Sequence, residues 1–192
     1  IGFCLVGSEM CIRDRSMAGT VRIVPVINLP GYRSKSRYFP DGRDLNRAFP
    51  GLSKGSTTSR VASTVKKNLI DDSDVIIDLH SAAVGRSNMP QIRGDLSHPE
   101  SYLLAKAFGI EVVLDSRPPK GSLRRVANGM DIAAVTYEGG EANQLDQVAV
   151  KVAVEGCLNV LKSLKVIPKN PARPRFRLNA GGSTWLLSLI HI

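Results

Sequence analysis

His80 and Glu138 each stand at the end of a short apolar run, the first after Asp74–Leu79 (DVIIDL) and the second after Ala133–Tyr137 (AAVTY). An imidazole at a strand end is a good zinc ligand, since its neutral ring offers a nitrogen lone pair from a fixed position. A carboxylate in the same setting, followed by Gly139 and Gly140, can act as a general base or simply cap a strand-to-loop turn. Upstream, Arg37, Asn46 and Arg47 share a polar stretch. A guanidinium offers a planar fork that fits a carboxylate bidentately, and Asn adds an oriented amide. Solvated loop arginines and an Asn-stabilised turn are the plain alternatives for the same residues.

Such groups act together only if elements position them. Thr20–Asn28 (TVRIVPVIN) is a β-branched run that predicts a strand, ending in Pro30-Gly31. Tyr32–Gly55 then holds four arginines, two aspartates and Asn46 with little apolar period, and a loop of that length in a compact domain points to function. Val61, Val65 and Leu69 recur every four positions, predicting a helix from Ser56 to about Ile70. Asp74–Leu79 fits a buried strand, with His80 and Ser81 at its carboxyl end. Ser97-His98-Pro99-Glu100 has capping-box spacing and opens a helix that stops at Gly109. A strand over Ile110–Leu114, a short helix over Ser122–Asn128, a strand over Ala133–Tyr137 and a long helix over Gln144–Val166 complete the pattern.

Strands alternating with helices predict an α/β fold with an at least partly parallel sheet, where ligand sites gather at the carboxyl ends of strands. His80 and Glu138 both fall there. The chain is long enough for one sizeable core. No apolar stretch is long enough to span a bilayer and no secretory signal pattern opens the chain, so the expected location is the cytoplasm. The formal charge of +9, from 26 Lys and Arg against 17 Asp and Glu, favours anionic partners. The basic residues are scattered, apart from Arg173, Arg175 and Arg177, and form no recognisable binding module, so a small carboxylate is favoured over nucleic acid.

The two ends differ from the body. Residues 1–15 (IGFCLVGSEMCIRDR) show neither period, and 186–192 (LLSLIHI) form an apolar tail; both are expected to be non-native, adaptor-like text. The charges of Glu9, Arg13, Asp14 and Arg15 cancel, so the +9 belongs to the body. Residues 16–168 are then expected to be part of a catalytic domain, and 169–185, with Pro171 and Pro174, a linker into the start of a further domain that is cut off. Three cysteines, two of them in the leader, make no disulfide framework, and Cys157 reads as a buried small side chain.

The order Arg37, Asp44-Leu45-Asn46-Arg47 with Phe49-Pro50-Gly51, Asp78-Leu79-His80, then Tyr137-Glu138-Gly139 resembles the succinylglutamate desuccinylase/aspartoacylase family of zinc carboxypeptidase-like deacylases. The likeness covers about Gly19 to Val166. It implies a three-layer fold, a mixed and largely parallel sheet flanked by helices. It also implies hydrolysis of the amide of an N-acyl amino acid or related carboxylate by a Zn2+ enzyme. In that family a His and a Glu of an upstream HxxE segment hold the metal with a second His, which His80 matches. Glu138 matches the general base, Arg37 the arginine that stabilises the oxyanion, and Asn46 and Arg47 the pair that binds the substrate carboxylate. Arg124 matches a further substrate-binding arginine, with adjacent Arg125 leaving the register open. Asp78 is either a residue orienting the site or an ordinary strand-end aspartate.

This chain departs from that pattern in having no HxxE pair. Its only histidines are His80, His98 and His191, the second in a helix cap and the third in the doubtful tail. Two of the three expected metal ligands would therefore lie upstream, and the chain by itself is expected to be inactive. A carboxypeptidase or peptidoglycan amidase on the same scaffold is one alternative, and a non-catalytic anion-binding module is another. The sequence leaves oligomeric state and substrate identity open.

Overall fold

A computed structural model describes residues 17–168 and 178–181. The expected adaptor-like ends at 1–15 and 186–192 lie outside the described residues, as does the 169–185 linker apart from its strand at 178–181. In chain order the elements are α1 (Leu29–Ser34), a 3-10 turn (Leu45–Arg47), α2 (Thr57–Val65) running into a π turn (Lys66–Ile70), β1 (Val75–Ala82), β2 (Asn88–Gly94) and α3 (Pro99–Phe108). There follow β3 (Val112–Asp115), α4 (Leu123–Gly129), β4 (Ala133–Glu141), α5 (Gln147–Ser163) and β5 (Leu178–Gly181).

The strands form one sheet in the order β1-β4-β2-β3-β5. Three neighbouring pairs are parallel, β1 with β4, β2 with β3 and β3 with β5, while β2 and β4 run antiparallel. This is the expected mixed, largely parallel sheet. Side chains alternate across β4, and each face finds its own helices. Val135 and Tyr137 join Leu104, Phe108, Ala153 and Val160 of α3 and α5 in one core. Ala134 joins Phe39, Leu45, Phe49, Ala62 of α2 and Leu123 and Ala127 of α4 in the other. Three layers result.

Local chemistry sets the helix starts. Ser56, Ser122 and Asp146 accept backbone N–H bonds at the heads of α2, α4 and α5. The expected capping box at Ser97 is corrected: the capping residue is His98, whose ring accepts from Ser101 N at 3.3 Å, with Pro99 in the first turn. Three element expectations also change. Thr20–Asn28 forms no strand, and Ile23, Val24 and Val26 are exposed. A strand needs a neighbour's ladder; this run pairs with none of the described strands, and Pro25 offers no N–H. Asn88–Gly94 is a strand that periodicity does not announce, because Pro90 and Gly94 interrupt it. Both β1 and β4 extend beyond the predicted ends, so His80 and Glu138 lie within paired strands, not just past them.

Candidate active site

Strand register brings the central groups together. His80 of β1 lies directly opposite Glu138 of β4, and Asp78 lies opposite Thr136. Residues two apart share a face, so all four project on the side of the sheet that Ile76 and Ala134 pack into the second core. Across β4, Gln91 and Arg93 of β2 pair with Glu138 and Thr136 and therefore project on the same side. Two lateral rows result, His80–Glu138–Gln91 and Asp78–Thr136–Arg93.

The His80 ring is hydrogen-bonded at one edge and faces a carboxylate at the other. Its Nε2 lies 2.8 Å from Asp78 Oδ2 and donates to it, since a carboxylate can only accept. Its Nδ1 faces Glu138 Oε1 at 3.9 Å, and the other Glu138 oxygen accepts from Asn88 Nδ2 at 2.9 Å. Burial works against charging this imidazole. The hydrogen bond to Asp78 and the fields of Asp78 and Glu138 outweigh burial and the opposing Arg37 charge, so its pKa lies above the ordinary 6.5.

The layer over this face carries the arginines. Phe39, Leu45 and Phe49 bury the 35–51 loop in the second core, which leaves its polar residues between them at the rim. Arg37 donates through Nε and Nη2 to Asp44 Oδ2 at 3.0 and 2.8 Å, leaving Nη1 outside that pair. Asp44 in turn accepts from Asn46 N at 2.9 Å and so opens the 3-10 turn. Asn46 Oδ1 accepts from Leu123 N at 2.8 Å, which ties the loop to the head of α4. At that joint Phe49 N donates to Gly121 O at 3.0 Å, and Gly121 has φ +76° with the Arg47 carbonyl where a Cβ would go, so only glycine fits.

Burial distinguishes the adjacent arginines on α4. Arg125 is exposed, whereas Arg124 points inward with 5 % of its surface accessible. Arg124 donates to Ser116 O at 2.8 Å and Ser116 Oγ at 3.1 Å. Burial draws its pKa down; Asp95, Asp78 and Glu138 oppose this, while Arg93 adds to it. Arg124 therefore senses both carboxylates of the sheet. The structure thus gathers His80, Glu138, Arg37 and Arg124 within one electrostatic environment, with Asn46 built into the loop that holds Arg37. Arg47 is exposed and donates through Nη1 to Asn46 O at 2.6 Å, so its tie to the group runs through the backbone alone.

Sequence reading missed Asn88 and Arg93. Neither sits in a recognisable motif, and both reach this face only through the antiparallel pairing of β2. His98, set aside on sequence, is engaged by Ser101 and by Asp131 at 3.1 Å. Cys157 is half-buried, and burial pushes its thiol pKa up, as a packing role requires.

The donor set fits one corner of a zinc site. A ring nitrogen held by a carboxylate, with the second nitrogen directed into the site, is how a metal-binding histidine is usually oriented. Three protein ligands are needed, however, and among the described residues no group of three His, Cys, Asp or Glu side chains could hold a metal ion.

Comparison with known proteins bears on the family. The family model for the succinylglutamate desuccinylase/aspartoacylase catalytic domain matches residues 11–164. An N-alpha-acetyl-L-2,4-diaminobutyric acid deacetylase of Halomonas elongata is 42% identical over 71 residues, which are 36% of this chain and 21% of that protein. A succinylglutamate desuccinylase/aspartoacylase of Rhodobacter sphaeroides superposes with a TM-score of 0.75 at 26% identity, covering 85% of this chain and 51% of the other. The product-bound ectoine utilization protein EutE (DoeB) of Ruegeria pomeroyi shares the fold with a TM-score of 0.80 at 24% identity, over 88% of this chain and 54% of the other. The chain thus spans about half the length of these solved structures.

Proposed function

The chain belongs to the succinylglutamate desuccinylase/aspartoacylase family, and from that premise we propose that it forms part of a zinc-dependent deacylase cleaving the amide of an N-acyl amino acid or a related small carboxylate. The observation that carries this reading is the register pairing of His80 with Glu138, on the face overhung by Arg37 and Arg124. That face presents a base, an imidazole and cationic groups on one side of a sheet, which suits attack of water on a carbonyl whose far end is anionic.

In this reading Glu138 takes a proton from the water as its oxygen bonds to the carbonyl carbon and hands it to the departing nitrogen as the C–N bond breaks, releasing an acid and an amine. Arg37, with Nη1 outside its pair to Asp44, stabilises the negative charge that develops on the carbonyl oxygen. Asn46, Arg47 and Arg124 bind the substrate carboxylate. Asp78 holds the His80 ring so that its other nitrogen would be free to serve as one metal ligand. Zinc, when bound, would supply a water whose pKa is lowered to about 7. The remaining ligands would come from outside the described residues, so this chain alone should bind zinc weakly and hydrolyse nothing measurable. No helix among the described residues is long and apolar enough to cross a membrane.

The test uses the complete protein against a panel of N-acyl amino acids that includes N-alpha-acetyl-L-2,4-diaminobutyrate. Hydrolysis that disappears with a chelator and returns with added zinc, alongside zinc measured in the purified protein, is the expected result. Hydrolysis indifferent to chelation would remove the metal from the reading. Carboxylate binding without any turnover would favour an anion-binding module instead.

A further inference from the structure

We infer that Asn88 is a positioning residue for the Glu138 carboxylate, placed there by a one-residue irregularity in the pairing of β2 with β4. The inference rests on the reading of Glu138 as the general base. Asn88 Nδ2 donates to Glu138 Oε2 at 2.9 Å, while Oε1 of the same carboxylate faces His80 Nδ1 at 3.9 Å. Each oxygen thus has its own direction: one is tied to the amide and the other turned toward the imidazole. The nitrogen of the Asn88 amide must be the atom in contact, because the carboxylate has no proton to give its oxygen.

That contact depends on the irregularity. Gln91 pairs with Glu138, and Asn88 pairs with Gly140, so three steps along β2 answer two along β4. In an unbroken β2, three steps from Gln91 would turn the Asn88 side chain to the face opposite that of Gln91 and its partner Glu138. The extra residue reverses the alternation and brings Asn88 to the Glu138 face. A bulge of this kind re-aims one side chain at the cost of a ladder bond, which is why such irregularities gather beside active sites.

A glutamate that must accept and deliver a proton gains from being held in one orientation, since each free torsion otherwise has to be fixed in the transition state. Asn88 does this without adding charge.

The experiment compares Asn88→Ala and Asn88→Asp in the complete protein, with Glu138→Ala as control, on the best substrate of the acyl-amino-acid panel. Loss of one hydrogen bond to a charged group should lower kcat by about 10- to 100-fold in Asn88→Ala. KM should stay within about threefold, because in this reading Glu138 acts on the attacking water and the substrate carboxylate is bound by other residues. Asn88→Asp keeps the shape but puts a carboxylate against a carboxylate, so it should be slower than the alanine variant. A residue that only fills space would give the opposite order, with the isosteric Asp nearer to wild type, and that order overturns the inference. So does an unchanged kcat in Asn88→Ala where Glu138→Ala is inactive. Full activity in Glu138→Ala, or no turnover by the wild-type protein, removes the reading of the site and this inference with it. If the alanine variant fails to fold by circular dichroism, the Asp variant decides alone: reduced kcat supports the role and wild-type kcat ends it.

Discussion

The two faces of β4 differ along the same nine residues. On one, Val135 and Tyr137 are almost fully buried against Phe108 and α5, with the Phe108 and Tyr137 rings stacked at a centroid distance of 5.6 Å. Gly156 of α5 lies so close to the Phe108 ring that a Cβ would overlap it. On the other, Ala134 starts an apolar core, but Thr136 and Glu138 continue into charged company from Asp78, His80 and Arg93. The first face is invested in burial and the second in electrostatics. Because alternation assigns neighbours to opposite faces, a substitution at one residue of β4 should disturb one property and spare the other.

The largest expected effect breaks the comparison on the polar side. Glu138→Gln in the complete protein should lower kcat by about 100- to 10,000-fold while leaving the urea midpoint near wild type. On the apolar side Phe108→Ala should cost about 3–5 kcal/mol of stability in the same urea titration. Surviving folded protein should retain its catalytic constants, and a matching loss of kcat would show that the faces are coupled.

Smaller changes sharpen the contrast. The Tyr137 hydroxyl donates to Ala149 O at 2.7 Å, and burial, with the Asp146 charge, raises its pKa to about 12. A folded-state pKa above the unfolded value of 10.0 means stability is intact below pH 10 and is lost as the pH rises toward 12. Tyr137→Phe should cost about 1 kcal/mol at neutral pH and flatten that alkaline loss. The smallest effect lies in the loop above the polar face. Asp41 accepts from Thr58 N at 2.9 Å and from the Thr58 hydroxyl, contacts that hold its carboxyl down to about 2 from 3.8. Its folded-state pKa is depressed, so its contribution is present above about pH 4 and fades as the pH falls to about 2. Asp41→Asn should narrow the drop in thermal midpoint over that acid window.

Most of the scaffold was legible because its helices have caps and apolar period: α2, α3 and α5 lie within the stretches that Ser56, Ser97 and Gln144 mark, and α4 overruns the stretch from Ser122 by one residue. The strand ends bearing His80 and Glu138 were legible as short apolar runs, although pairing extends both strands past those runs. What sequence could not supply was pairing. Thr20–Asn28 looks like a strand yet finds no ladder among the described residues, whereas Asn88–Gly94 does not look like one and is made so by β3 and β4. Arg124 and Arg125 differ only in the direction each takes from a helix surface, which adjacent identical residues cannot reveal. The pairing of Arg37 with Asp44 belongs to the same class, since a loop without period gives no register.

The joint at Gly121 has a consequence for selectivity under the proposed function. It seals the Asn46–Arg47 turn onto the entrance of α4, the helix that also presents Arg124, so the groups meant for the carboxylate form one stiff jaw. His80 and Glu138 ride on the sheet as the opposing jaw. A ligand gripped by both would be measured end to end like an object in a caliper.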